Sequence, residues 1–160
     1  MQGLHRKLSR YEIIGWVIGG WLIAELYKQC ALWFALHYLN WTGIIPEPTL
    51  GLMWFVLMFK NAAGEELVFR GPLVIADKYD WNGYATITLV ILINLLFASY
   101  HGGLSLRSVI VQGMTGIIYS IVFLRCGGLQ GQYFQALVAS SIVHFLTNIS
   151  TVFLAWLQGE

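Results

Sequence analysis

Five long apolar stretches run through the sequence, and they constrain the fold more than any other feature. The stretches are Tyr11 to Leu39, Leu50 to Ala76, Tyr84 to His101, Leu104 to Cys126 and Gln132 to Leu157. A helix needs roughly 20 mostly apolar residues to cross a bilayer. Backbone polar groups in lipid must bond within their own segment, so we expect these stretches to be helices. The sequence therefore predicts an all-α fold, a polytopic membrane helix bundle with about five transmembrane helices.

Composition supports the lipid bilayer as the environment. Hydrophobic residues make up 58% of the chain and charged residues 11%, whereas soluble domains have about 45–50% and about 25%. This excludes a soluble enzyme, a disordered chain and a coiled coil. The net charge of +1 without a basic tract predicts no nucleic acid partner. The only two cysteines, Cys30 and Cys126, are too far apart in sequence to predict a disulfide framework.

The separators between the stretches predict the domain organisation and the orientation. They are rich in Gly, Pro, Asn and Asp, which favour turns, and we expect a single transmembrane domain over residues 1–160. The basic residues expected on one side of the membrane are Arg6, Lys7, Arg10, Lys78 and Arg125. The other side holds Arg107. The positive-inside rule then predicts a multi-pass integral membrane protein with a cytoplasmic N-terminus.

Charged residues interrupt the second stretch. Ionisable groups inside a membrane are costly, so each is a candidate for function. Glu66 and Arg70 are four residues apart, share a helix face and are expected to pair. Glu65 points about 100° away and lacks that partner. A carboxylate without a cation beside a water pocket suits a general base. The alternative is a structural ion-pair cluster that ties two helices together.

Two further polar stripes lie on the third and fifth stretches. Asn94, Phe97 and His101 share one helix face, because their spacings are three and four residues. His144 and Asn148 are also four apart and lie on one face. The alternatives are an interfacial anchor for His101 and hydrogen bonding between helices for the other pair.

Depth in the membrane separates one of these residues from the others. At about 1.5 Å per residue, Glu65 and His144 lie at similar depths of ~17 and ~18 Å, whereas His101 lies at ~26 Å. His101 can join the others only if helices tilt, if the third helix starts later, or if the second helix breaks near Lys60–Gly64. In the first stretch, Glu25 and Lys28 are three apart and are expected to neutralise each other as a structural pair.

The combination resembles the CPBP (Abi) family, which contains type II CAAX prenyl endopeptidases and bacteriocin-processing or immunity relatives. The residues that carry the resemblance, in chain order on three helices, are Glu65, Glu66, Arg70, Phe97, His101, His144 and Asn148. The segment Gly113–Tyr119 is similar to a glycine-rich helix of that family. The resemblance covers about residues 50–152, which we expect to be a family-like catalytic core.

The resemblance implies a role for each matching residue. It implies that Glu65 activates the attacking water and that His101 helps to hold that water. It also implies that His144 and Asn148 stabilise the oxyanion. We therefore hypothesise an intramembrane endopeptidase that hydrolyses a peptide bond with a Glu-activated water.

Cofactor and partner expectations follow from the same resemblance. Glu66 and Arg70 match motif positions, and their pairing makes them a clamp within the catalytic set. The family is glutamic-type and metal-independent, so no cofactor is expected. The expected partners are a peptide or protein substrate and the lipid bilayer, with lipidated and membrane-bound substrates among those that fit.

Three alternatives stay open at this point. Glu65, His101 and His144 are a ligand set that could hold a catalytic zinc ion with one open position. A non-enzymatic membrane immunity or scaffold protein would keep the same fold and use the polar cluster for packing. An ion or proton pathway would use the same residues for transport.

Overall fold

The computed structural model describes residues 8–39 and 51–158, and this part of the chain is helical without a β-strand. Its helices are α1 (Arg10–Tyr38), α2 (Leu52–Arg70), α3 (Val74–Lys78), α4 (Gly83–Gly102), α5 (Leu106–Ser108), α6 (Met114–Phe123) and α7 (Tyr133–Gln158). A 3-10 turn, Gly71–Leu73, joins α2 to α3. A π-helical segment, Val109–Gly113, joins α5 to α6, and a second one, Leu124–Gly128, follows α6. Together these pieces form one long helical segment.

The predicted all-α membrane bundle is confirmed. Five long helical segments are present, and three of those in the described part are long and apolar enough to cross a membrane: Gly83–Gly102, Leu106–Gly128 and Tyr133–Leu154. The first two helices are less apolar, because charged residues occupy their interiors. The bundle therefore combines three strongly apolar helices with two that carry charge.

The predicted second helix differs from the structure at its C-terminal end. Its predicted first residue, Leu50, lies outside the described residues. The α-helical part of the second stretch ends at Arg70, six residues before the predicted end. Pro72 accounts for this change, since proline lacks an N–H group and its ring disturbs the preceding turn of an α-helix. The chain stays helical beyond it, through the 3-10 turn into α3.

Short polar side chains start the helices. The Ser9 hydroxyl accepts from the Glu12 N–H at 3.2 Å, and the Glu12 carboxylate accepts from the Ser9 N–H at 2.8 Å. This capping box satisfies two backbone N–H groups at the start of α1 that have no partner within the helix. The Asn82 side chain accepts from the Ala85 N–H at 2.9 Å at the start of α4. Gly103, with φ of 70°, ends α4 in a conformation that favours glycine.

Helix α7 lies in the middle of the bundle and packs against α1, α2 and α6. One core cluster joins Ala24 of α1, Tyr119 and Val122 of α6, and Ala139 and Val143 of α7. Small residues let these helices approach closely, which is how helices pack in lipid. The site residues of α2 and α7 are thereby held inside the bundle.

The outer face of α4 is apolar and exposed. Ile87, Ile91, Leu92 and Leu96 are between 47% and 64% exposed. Such a surface would be an aggregation hazard in water, whereas in a bilayer it faces acyl chains. The exposed apolar face therefore supports the membrane environment that the composition predicts.

We predict that Gly20→Ala destabilises the bundle and that Gly19→Ala does not. A Cβ atom on Gly20 would lie 2.5 Å from Cγ2 of Val122, a β-branched side chain that cannot easily move away. A Cβ on Gly19 would meet nothing within 4 Å. We expect a loss of about 1–3 kcal/mol for Gly20→Ala. The measurement is the thermal unfolding midpoint in detergent, and equal midpoints for the two variants would contradict the packing described.

Candidate active site

The two adjacent glutamates of α2 have different surroundings. Glu66 and Arg70 are fully buried and form an ion pair, with Oε2 of Glu66 3.1 Å from Nε of Arg70. The predicted pairing is confirmed. The Glu65 side chain is 23% exposed and has no cation in direct contact among the described residues. A rotation of about 100° around α2 therefore separates a neutralised carboxylate from one that has no cation in direct contact.

Arg70 extends the ion pair into α4 and α6. Its Nη1 donates to Oδ1 of Asn94 at 3.2 Å. The Asn94 amide nitrogen donates to the Val90 carbonyl at 2.8 Å and to the Ser120 hydroxyl at 2.9 Å. Gly116 makes room for this arrangement, because a Cβ there would overlap Oδ1 of Asn94. A chain of buried polar contacts thus connects α2, α4 and α6.

His144 of α7 is held on two sides. Its Nδ1 lies 3.1 Å from Oε1 of Glu66, and its ring stacks on Tyr119 with centroids 4.6 Å apart and planes inclined by 21°. The His144 side chain is 4% exposed. A carboxylate that accepts the Nδ1 proton orients the ring and leaves Nε2 as the reactive atom.

His101 reaches the same site from α4. Its Nδ1 bonds to the Phe97 carbonyl at 3.0 Å, and its Nε2 lies 3.3 Å from Oε2 of Glu65. The depth mismatch estimated from the sequence therefore does not keep it away. Helix α4 starts at Gly83 and α2 is unbroken through Gly64, so a late start and a helix break do not explain the approach. The approach therefore depends on how α2 and α4 are placed relative to each other in the bundle.

Both imidazole rings converge on a single oxygen. The Glu65 Oε2 atom lies 3.3 Å from Nε2 of His101 and 3.7 Å from Nε2 of His144. It is buried and lacks a hydrogen bond of good geometry within the described residues. A backbone carbonyl and an ionised carboxylate can each only accept a hydrogen bond. Because Nδ1 of His101 contacts the Phe97 carbonyl and Nδ1 of His144 contacts the Glu66 carboxylate, Nδ1 of each ring carries a proton. Nε2 of each ring then faces Oε2 of Glu65, an arrangement that suits proton transfer.

Asn148 lies one turn beyond His144 on α7, but its observed hydrogen bond leads elsewhere. Its Oδ1 accepts from Nζ of Lys28 at 3.2 Å. The sequence predicted that Lys28 would neutralise Glu25. Lys28 and Glu25 interact through their charges. However, Lys28 donates its hydrogen bond to Asn148 of α7, whereas Glu25 accepts one from Gln29 at 2.7 Å. The structure therefore links Asn148 to α1.

Three residues of the site have contacts that sequence reasoning missed. Asn94 was placed on the face of His101 but received no role, although it binds Arg70. Tyr119 lies in the segment that is similar to a glycine-rich helix and received no role of its own, although it stacks on His144. Lys28 was expected to form a local pair only. A buried polar residue in an apolar helix was the available signal for Asn94 and Lys28.

A zinc site is one of the alternatives that the sequence leaves open. No group of three or more His, Cys, Asp and Glu side chains in residues 8–39 and 51–158 has the arrangement of a metal site. The structure does bring Glu65, His101 and His144 together, and these are the residues of the zinc alternative. The metal-independent reaction and the zinc alternative both stay predictions.

Comparison with known families assigns the chain to a family. A family model described as "Type II CAAX prenyl endopeptidase Rce1-like" matches residues 47–150, which is well over half of the chain. The chain belongs to this family. The family predicted from the motifs is thereby confirmed. Membership indicates an intramembrane endopeptidase of the CAAX protease type, with a protein or peptide substrate in a lipid environment. No curated protein and no solved structure is similar enough to count as a match.

We predict that Arg70→Met strongly destabilises the protein. It leaves the Glu66 carboxylate buried without its cation, and breaking a buried pair in this way costs about 3–5 kcal/mol. Arg107→Met is the matched control, because Arg107 is only partly buried. The measurement is the thermal unfolding midpoint of both variants in the same detergent. If Arg70→Met unfolds at the temperature of the control, the ion pair is not what stabilises this part of the bundle.

Proposed function

We propose that this protein hydrolyses a peptide bond of a membrane-bound substrate, with Glu65 as the general base that activates water. The observation that carries the proposal is the approach of two imidazole Nε2 atoms to Oε2 of Glu65, at 3.3 and 3.7 Å. Of the two adjacent glutamates, only Glu65 is free of an ion pair with arginine. It is also partly exposed, as a group that receives water must be.

The proton steps follow from the surroundings of each residue. Glu65 takes a proton from a water molecule as that water attacks the substrate carbonyl, and it then delivers the proton to the leaving amine. His101, which is also partly exposed, holds the water through its Nε2 atom. The fixed Nδ1 contact with the Phe97 carbonyl orients the ring for this task.

Oxyanion stabilisation is the proposed role of His144 and Asn148. A protonated His144 donates from Nε2 to the developing oxyanion, and the Glu66 carboxylate at 3.1 Å from Nδ1 stabilises that cation. The Asn148 amide group supplies the second donor. Glu66 and Arg70 act as the clamp that holds His144, because the ion pair leaves Oε1 of Glu66 for the ring.

We predict that Glu65→Gln reduces peptide cleavage by about 100- to 10,000-fold, the range for loss of a general base. The substitution keeps size and removes basicity, so folding is expected to be retained. Asp80→Asn is the control for loss of a carboxylate outside the site. The assay incubates purified protein in detergent with a farnesylated CAAX peptide and with its unprenylated counterpart, and quantifies products by mass spectrometry.

The outcomes of this assay separate the candidate functions. If the wild type cleaves the peptide and Glu65→Gln cleaves it equally well, Glu65 is not the general base. An inactive wild type with a lowered unfolding midpoint in Glu65→Gln supports the non-enzymatic scaffold alternative. Activity that is lost with a zinc chelator and restored by zinc supports the zinc alternative with Glu65, His101 and His144 as ligands. Faster cleavage of the farnesylated peptide than of its unprenylated counterpart would show that the protein prefers prenylated substrates.

We also propose that the N-terminus faces the cytoplasm. The Asp77 carboxylate accepts from the Tyr133 hydroxyl at 2.7 Å, and the Arg125 guanidinium lies 5.7 Å over the Trp16 ring. The start of α1, the end of α3 and the start of α7 therefore share one end of the bundle. This end carries Lys78 and Arg125, which supports a cytoplasmic location under the positive-inside rule.

Cysteine labelling tests this orientation. In a variant whose Cys30 and Cys126 are replaced by Ala, we predict that Arg107→Cys reacts with a membrane-impermeant maleimide in sealed right-side-out vesicles. Lys78→Cys should react only after the vesicles are permeabilised. The opposite pattern would show that the N-terminus is outside.

A further inference from the structure

A buried cation of α1 is not used by the mechanism proposed above. Lys28 is 7% exposed and lies outside the segment that matches the family model. Burying an ammonium group in an apolar bundle is costly unless its hydrogen bonds and charge are satisfied. The partners of Lys28 therefore indicate why the chain keeps a lysine at this position.

Apart from Glu25, those partners belong to the candidate active site. Nζ of Lys28 donates to Oδ1 of Asn148 at 3.2 Å. The ammonium also interacts electrostatically with Glu25 and Glu65, and with His101. Lys28 thus faces the site from a helix that contributes none of the residues in the sequence motifs.

The chemistry of the two groups fixes the orientation of the amide. An ammonium group has three donors and no acceptor, whereas a carboxamide has an accepting oxygen and a donating nitrogen. Lys28 can therefore bind Asn148 only through its oxygen. The NH2 group then points away from Lys28 and is available as a donor to a developing oxyanion.

We propose that Lys28 is a positioning residue that holds the Asn148 carboxamide with its NH2 group toward the reacting carbonyl. This inference rests on the proposed function, in which Asn148 stabilises the oxyanion. Without Lys28, the amide could rotate and present its oxygen to the oxyanion, which would be repulsive. The contribution is then made in the transition state and not in substrate binding.

The test compares kcat and KM of purified variants on the peptide that the wild type cleaves. We expect Lys28→Met to lower kcat by up to about 100-fold, the scale for a misplaced catalytic group, with KM nearly unchanged. Lys28→Arg keeps a donor-only cation and should recover part of the lost kcat. Trp21→Phe is the matched control, since it removes another hydrogen bond from α1 to α7, from Trp21 to Ser150 at 3.1 Å. It should leave kcat unchanged.

A double-mutant cycle distinguishes positioning from general destabilisation. If Lys28 acts through Asn148, Lys28→Met should have no further effect on kcat, within about twofold, when Asn148 is already Ala. If Lys28→Met lowers kcat equally in both backgrounds, Lys28 does not act through Asn148 and the inference is wrong. A loss of kcat that Trp21→Phe reproduces would also overturn it, because helix docking would then explain the effect.

Failure of the inference and failure of the proposed function give different results. If Glu65→Gln is inactive and Lys28→Met is as active as the wild type, only the role of Lys28 is overturned. If the wild type cleaves no peptide, or Glu65→Gln remains fully active, the proposed function is overturned and the role of Lys28 is overturned with it.

Discussion

The buried ion pair between Glu66 and Arg70 is the interaction on which the site depends. Two charged side chains without exposed surface are costly in an apolar bundle unless they are paired and form further hydrogen bonds. Arg70 donates a hydrogen bond to Asn94 of α4, and Asn94 in turn donates one to Ser120 of α6. The second oxygen of Glu66 accepts a hydrogen bond from His144 of α7. Satisfying one pair of charges thus brings four helices together.

This arrangement also places two adjacent carboxylates in different surroundings, which suit them to different roles. Glu66 is neutralised, buried and engaged with both of its oxygens, so it serves to hold other groups. Glu65 projects about 100° away around the helix, where it meets His101 and His144 instead of a cation. A site for proton transfer lies next to the charge pair because both depend on the same turn of α2.

Sequence reasoning predicted the parts of this site that are local to one helix. The pairing of Glu66 with Arg70 depends only on a spacing of four residues, and the structure confirms it. The end of α2 at Arg70 was missed, although Pro72 was visible, because the helical path continues beyond it. The depth estimate left His101 in doubt, since the rise along a helix does not report how two helices tilt. The partner of Lys28 was missed for a related reason: Asn148 is 120 residues away in sequence.

The sequence alone determined that the chain is a bundle of apolar helices and which polar residues share a helix face. Both properties follow from hydrophobicity and the period of 3.6 residues per turn, which are local. Only the tertiary structure decided which faces meet: that two imidazole rings approach Glu65, that Tyr119 stacks on His144, and that Lys28 binds Asn148. These contacts depend on the crossing and rotation of packed helices, which small residues and buried charges set together and which no single segment encodes.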